Sequence, residues 1–266
     1  MLFTGFKKRS LLNEGVNLLN QGKYEESIVY FDKALKIDSE YALAWYNKGV
    51  ALRNLKRYKK ALKCFNKALE LKSNLKEALF NKAATFGNLG KNKKALDCCD
   101  KLLELNPQDY KALAMKGLLL NKLGKHEKAL EYHDKALKLN PSLPEAWYGK
   151  GLSLENHENY KKALKCYEKA LKLDPKNPET WESKIRTLIM LERYAEALKC
   201  LDKSLELNPK NVNTWYTKGL ILGTLKRYAE ALQCFNKVLE INSNFKPAKK
   251  WKKKILGKTT KTESQV

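Results

Sequence analysis

The 266-residue sequence predicts an all-α solenoid of stacked helix pairs, on three observations. The first is a strict period, the interval from Gly15 to Gly49, plainest where the segments beginning at Ala44 (AWYNKG), Ala146 (AWYGKG) and Thr214 (TWYTKG) are set side by side. The second is a column of small residues, Gly15, Gly49, Ala83, Gly117, Gly151 and Gly219, answered later in each copy by Ser27, Ala61, Ala95, Ala129, Ala163, Ala197 and Ala231. Two helices approach closely only where side chains are small. The third is an apolar stripe at helical spacing on each side of a short turn, ending on Leu35, Leu69, Leu103, Leu137, Leu171, Leu205 and Leu239. Self-similarity at this period means one supersecondary unit stacked on copies of itself, so function is sought on the surface that the stack creates.

The elements follow in chain order. Residues 1–7 precede the array, and Leu2, Phe3 and Phe6 within them are expected to dock back on the first helix or on a second copy of the chain. Seven repeats occupy 8–41, 42–75, 76–109, 110–143, 144–177, 178–211 and 212–245. In each, a first helix carries the small residue, preceded in four copies by Trp45, Trp147, Trp181 or Trp215. The second helix opens on Tyr24, Tyr58, Tyr160, Tyr194 or Tyr228 and continues through Phe31, Phe65, Tyr167 or Phe235. Prolines respect this frame: Pro107, Pro141, Pro175 and Pro209 fall in connections, while Pro144 and Pro178 open first helices, where a missing N–H has no helical partner to lose. The third and sixth repeats depart from the pattern. Cys99 and Leu102 replace an aromatic and an alanine in one; Ile185 replaces the close-packing glycine and Ser204 the alanine in the other. Beyond the array, Ala248, Trp251 and Ile255 share a helical face beginning near Pro247, which predicts a basic capping helix over 246–257 anchored by Trp251, followed by a disordered tail over 258–266.

Charge and cysteine usage bound the function classes. Lys and Arg number 53 against 29 Asp and Glu, a net +24. Lysines recur in two columns, one from Lys33 to Lys237 and one from Lys48 to Lys218, and the stretch after Phe245 holds eight lysines against one glutamate. Such columns predict weak, non-specific attraction of nucleic acid or acidic proteins, but no aromatic-plus-glycine RNA-binding signature accompanies them. Five of the six cysteines, Cys64, Cys98, Cys166, Cys200 and Cys234, share one repeat position. Successive copies stand too far apart for disulfides, so they read as small apolar filler. No apolar run reaches the ~20 residues of a membrane span, and MLFTGFKKRS lacks the apolar core of a signal peptide, so a cytoplasmic location is expected. No cluster of titratable groups suggests an enzyme, metal or cofactor: His126, His133 and His157 stand at structural repeat positions, and Gly90-Lys91 follows a helix rather than a strand.

The order of Trp, glycine, Leu, Tyr, Ala, aromatic, Ala and Pro resembles the tetratricopeptide repeat, over seven copies from Lys8 to Phe245. Its regularity is similar to that of prokaryotic and archaeal arrays. The resemblance implies a right-handed superhelical stack whose first helices line a concave, protein- or peptide-binding groove through repeat positions 2, 5, 6, 9, 12 and 13. On those positions lie Tyr46, Phe80, Tyr148 and Tyr216, the asparagines Asn13, Asn47, Asn81, Asn54, Asn88 and Asn121, the apolar Val50 and Leu152, and the unusual charges Glu182 and Arg186 of the sixth repeat. Charges at these positions cancel, which suits an extended peptide better than a nucleic-acid strand. Asn13, Asn47 and Asn81 resemble the asparagine ladder of O-linked N-acetylglucosamine transferase, in which an amide both donates to and accepts from a peptide backbone. The chaperone-type carboxylate clamp is not matched in any three consecutive repeats. The implied function is a non-enzymatic scaffold or adaptor; the rival is a nucleic-acid-associated or acidic-partner-binding protein using convex lysines and the C-terminal tail.

Overall fold

The computed structural model describes residues 2–263, and side chains over 5–257. Among these residues it holds fifteen α-helices and no strand. They fall into two compact units. The first, Met1–Pro141, contains α1 (Leu2–Asn20), α2 (Tyr24–Ile37), α3 (Ala42–Asn54), α4 (Tyr58–Leu71), α5 (Lys76–Asn88), α6 (Asn92–Leu105), α7 (Tyr110–Lys122) and α8 (His126–Leu139). The second, Ser142–Val266, contains α9 (Pro144–Asn156), α10 (Tyr160–Leu173), α11 (Pro178–Met190), α12 (Tyr194–Leu207), α13 (Val212–Thr224), α14 (Tyr228–Ile241) and α15 (Lys246–Glu263). Odd-numbered helices are the first, and even-numbered the second, of each pair. Within each unit every helix packs on its neighbours in sequence, as a repeat solenoid does.

One contact sets the pair. In five of the seven pairs a ring of the second helix lies against the glycine of the first: a Cβ on Gly49 would stand 2.6 Å from Phe65 Cε1, and one on Gly151 would meet Tyr167 Cε1 as closely. Phe31, Phe65, His133, Tyr167 and Phe235 are all fully buried by this arrangement. Where the glycine is lost, the partner has shrunk. In the third repeat Ala83 shares a buried cluster with Cys99, which stands in place of a ring, while Leu102 is buried with Leu79 and Ala112; in the sixth, Ile185 and Leu201 are buried in one cluster. The sixth repeat thus keeps its crossing by exchanging a ring for an aliphatic side chain.

The turn within each pair is a Schellman closure. Arg57 N–H donates to Leu52 O at 2.8 Å and Lys56 N–H to Arg53 O at 2.9 Å, and the same two bonds recur down the chain. Its left-handed residue is Gly22, Gly90 or Gly124 in three copies, but Lys56, Glu158, Glu192 and Lys226 hold φ near +57° in the others. A Cβ in that region costs ~1–2 kcal/mol, against the ~0.5–1 kcal/mol of chain entropy that glycine forfeits. Glu192→Gly is therefore expected to leave stability unchanged or raise it by up to ~1 kcal/mol, read by urea melts; a clear loss would show that the side chain contributes more than it strains.

Between pairs, the lysine columns are spent on structure. Lys48 Nζ lies 2.5 Å from Asp32 Oδ1, Lys116 2.5 Å from Asp100 and Lys218 2.5 Å from Asp202, each joining a first helix to the second helix before it. The same ammonium groups lie over tryptophan faces, Lys48 on Trp45 and Lys218 on Trp215. In the other column Lys67, Lys203 and Lys237 pair with Glu70, Glu206 and Glu240 one helical turn on. The tryptophans also bind the preceding connection, since Trp45, Trp181 and Trp215 donate to Ser39 O, Pro175 O and Pro209 O, each at 2.9 Å. Half-exposed pairs of this kind contribute ~0–1 kcal/mol each. Lys218→Gln is expected to cost no more than that, and less at high salt; a loss of several kcal/mol on thermal melting would refute the assignment.

Both ends differ from expectation. Residues 2–7 do not fold back on the first helix; they extend α1, and Phe6 is left 77% exposed. Gly5 alone is too weak a breaker to stop the helix there, so propagation costs less than a turn. At the other end α15 runs through Gly257 to Glu263, past the expected boundary, because one interior glycine costs only ~1 kcal/mol. Residues 264–266 of the expected tail lie outside the described residues. Ala248 and Ile255 are the fully buried residues of α15, while Trp251 is half-buried beside them. The six cysteines are buried and form no disulfide, and burial pushes the thiols of Cys64 and Cys99 up to about 11 and about 12, which favours their protonated form. Among the described residues no helix is long and apolar enough to cross a membrane.

Candidate peptide-binding grooves

The nominated residues lie on first helices, and each unit presents its own set. In the first unit Tyr46 is half-buried, its ring centroid 6.3 Å from that of Phe65, so the ring that covers Gly49 is also the floor under Tyr46. Phe80 is half-buried against Leu79, Leu102 and Ala112, and Val50 against Leu52, Cys64 and Phe65. Asn13, Asn54 and Asn88 are exposed.

The ladder asparagines are not three free amides. Asn47 Nδ2 donates to Leu43 O of its own helix at 2.8 Å. Asn81 is fully engaged: Nδ2 donates to Glu77 O at 2.9 Å and to Tyr46 Oη at 3.3 Å, while Oδ1 accepts from the Arg53 guanidinium. Tyr46, Arg53 and Asn81 therefore tie α3 to α5, and burial, reinforced by the Glu77 carboxylate, raises the Tyr46 phenol above its ordinary range. Asn81, expected as a peptide-reading rung, is thus already engaged by Tyr46, Arg53 and its own helix. Asn121 likewise faces inward, its Oδ1 3.2 Å from His126 Nδ1 and its Nδ2 3.4 Å from His133 Nε2.

In the second unit a hydrogen-bonded network links the nominated Arg186 to Glu155 and Tyr167. Tyr167 Oη donates to Glu155 Oε2 at 2.6 Å, and Arg186 clasps the same carboxylate through Nε at 2.7 Å and Nη2 at 3.0 Å. Arg186 Nη2 also donates to Ser183 Oγ at 3.2 Å. The hydrogen bonds that Arg186 donates to Glu155 raise its pKa, and burial together with the same carboxylate raises that of the Tyr167 phenol. The fork–fork geometry fixes Arg186 in place. With Asn156, Tyr160 and Met190, the pair Glu155 and Arg186 lines a concavity of ≈ 400 Å³. Tyr148 stands half-buried 6.2 Å from Tyr167, Leu152 is half-buried, Glu182 is exposed, and Tyr216 packs 5.9 Å from Phe235 and 5.2 Å from Phe245. Sequence reasoning missed Glu155 as the hub, although tyrosine at 167, where three other copies have phenylalanine, signals a hydroxyl in need of an acceptor.

Helix pairs on a strict period, joined by small-residue contacts and presenting half-buried aromatic rings, define a helical-repeat interaction scaffold. Family profiles give the same answer. That of the tetratricopeptide repeat matches residues 42–75, a second TPR repeat profile 17–56, the N-terminal TPR region of Psidin 85–196, and subunit 3 of the anaphase-promoting complex, or cyclosome, 156–238. The chain is a tetratricopeptide-repeat protein. No curated protein sequence matches it significantly. Among solved structures it is similar to a tetratricopeptide repeat protein from Parabacteroides merdae, at 20% identity and TM-score 0.70, over 94% of this chain and 99% of that one. It also resembles a chain of the APC/C hetero-tetramer Cut9–Hcn1, at 19% identity and TM-score 0.76, over 91% of this chain but 48% of that one, so it spans about half of that relative. YrrB, a TPR protein with an unusual peptide-binding site, matches at 27% identity and TM-score 0.54, over 65% of this chain and 90% of that one.

Proposed function

We propose that the protein is a non-enzymatic adaptor that holds an extended segment of a partner protein against its first helices. The observation that carries this reading is the column of half-buried rings, Tyr46 and Phe80 in the first unit and Tyr148 and Tyr216 in the second, on fixed apolar floors. Rings held rigidly while partly open to solvent lose little entropy on binding and supply the apolar pockets in which binding hot spots form. The likeness to YrrB supports the same use. Specificity in this reading comes from the ring column and from Arg186 and Glu182, with Asn13 and Asn47 as polar contacts and Asn81 as a support for Tyr46. The pairing of the convex lysines with acidic neighbours leaves those columns less charge for phosphates. Peptides selected from a random library on the immobilised protein test the proposal. Tyr46→Ala or Tyr148→Ala is expected to weaken the peptides bound by its own unit by ~2 kcal/mol, about 30-fold, while Lys162→Ala on the exposed side of α10 changes nothing. Selected peptides indifferent to both tyrosines would sink the proposal.

A further inference from the structure

Helix α15 is more than a cap. Lys246 stands one repeat interval after Val212, and α15 buries Ala248 and Ile255 at two of the three positions where every first helix from α3 to α13 is buried, Thr214 and Ile221 being the preceding pair; the third, Gly219 in α13, is the exposed Lys253. It therefore takes the place of the first helix of an eighth copy. Its groove positions are then Lys250, Trp251 and Lys254, which join Tyr216, Lys246 and Pro247 around a concavity of ≈ 510 Å³. Several lysines of the two columns face carboxylates, whereas among the described residues Lys246, Lys250 and Lys254 have no acidic partner. Uncompensated positive charge thus meets an aromatic floor at one end of the second unit's groove.

The spacing selects the ligand. Lys246, Lys250 and Lys254 lie one helical turn apart, ~6 Å along the axis, close to the ~6.6 Å between alternate side chains of an extended peptide. One face of Trp251 is covered by the Lys254 ammonium 4.5 Å from its centroid, and Tyr216 meets Phe245 in an edge-to-face contact, so both rings are held in fixed orientations. We propose that this end of the groove takes an extended acidic segment of a partner protein, with alternate carboxylates on Lys246, Lys250 and Lys254 and an intervening apolar side chain against Tyr216 and Trp251. The proposal rests on the groove reading above and names the chemistry of its ligand in the second unit.

Fluorescence anisotropy on the full chain tests it, with a labelled peptide carrying glutamate at alternate positions around one central leucine and serine elsewhere. Lys250→Glu/Lys254→Glu, both exposed, is expected to weaken binding at least tenfold; Lys161→Glu/Lys162→Glu on α10 should stay within twofold. On the peptide side, replacing the glutamates by glutamine should abolish binding, and leucine by serine should weaken it several-fold. Equal losses from the two charge reversals would overturn the proposal, as would a labelled oligothymidylate that binds more tightly than the peptide at physiological salt and responds to Lys250→Glu/Lys254→Glu. Absence of peptide binding, while library-selected peptides still depend on Tyr148, would overturn it and leave the general groove reading standing.

Discussion

Gly49→Ile is expected to destabilise the first unit by ~3 kcal/mol or more, the upper end of overpacking, and Phe65→Leu in the same chain is expected to restore most of it. The new Cβ would lie 2.6 Å from Phe65 Cε1 and 2.8 Å from Cδ1, with the whole branched side chain still to place. Helix propensity acts the other way, since leaving glycine is worth up to ~1 kcal/mol inside a helix, but a buried ring at 0% exposure has nowhere to move. Phe65→Leu alone leaves a void over Gly49 and should cost ~1–3 kcal/mol. Together the two changes recreate the Ile185 and Leu201 contact of α11 and α12, where both residues are buried. A double-mutant cycle by urea unfolding should give a favourable coupling of ~3 kcal/mol, at the upper end for residues in contact; purely additive losses would show that the two positions do not share one volume.

Ile255→Ala should cost ~2–5 kcal/mol, the usual range for emptying a buried branched site, and should loosen the end of the second unit before the rest. Ile255 is 2% exposed, in one cluster with Leu222, Phe235 and Val238. Leu256, its 45%-exposed neighbour, is the control, and Leu256→Ala should change stability by less than ~0.5 kcal/mol. Hydrogen exchange reads the result directly: in Ile255→Ala the amides of α14 and α15 should lose protection while those of α9 and α10 keep it. If α15 amides exchange freely in the unaltered protein, the helix does not close the stack.

The fold was legible because a repeat states each burial many times. Ala44, Ala78, Ala112 and Ala146 recur on one beat and are all buried, as are Ala61, Ala95 and Ala129 on another, so one assignment carries over to every copy. The end of α15 was not legible: Gly257 reads locally as a stop, and only the absence of a following proline or competing turn lets the helix pass it. The site was legible as a set of positions but not as a set of free groups. Whether Asn81 reads a peptide or ties Arg53 to Tyr46 depends on rotamers of residues 28 and 35 positions earlier, which no local pattern fixes. The lysines show the same limit. Their columns stand out in the sequence, yet the Lys48 and Asp32 pairing joins two helices across a connection, so it emerges only when the stack is assembled.

The match between glycine and ring bears on how such a chain can be rearranged at the level of its gene. Both halves of the lock, Gly49 with Phe65 or Ile185 with Leu201, lie inside one repeat, on either side of the Schellman turn. Recombination whose breakpoints fall in the connections between repeats moves lock and key together, so any copy can be duplicated, deleted or exchanged with its core intact. A breakpoint in the turn itself can join an Ile185-type first helix to a Phe65-type second helix, and that hybrid carries the collision expected of Gly49→Ile. The stretch between the glycine and its ring is thus where shuffling between unlike copies is penalised through this contact, and breakpoints in the connections bearing Pro107, Pro175 and Pro209 leave it whole.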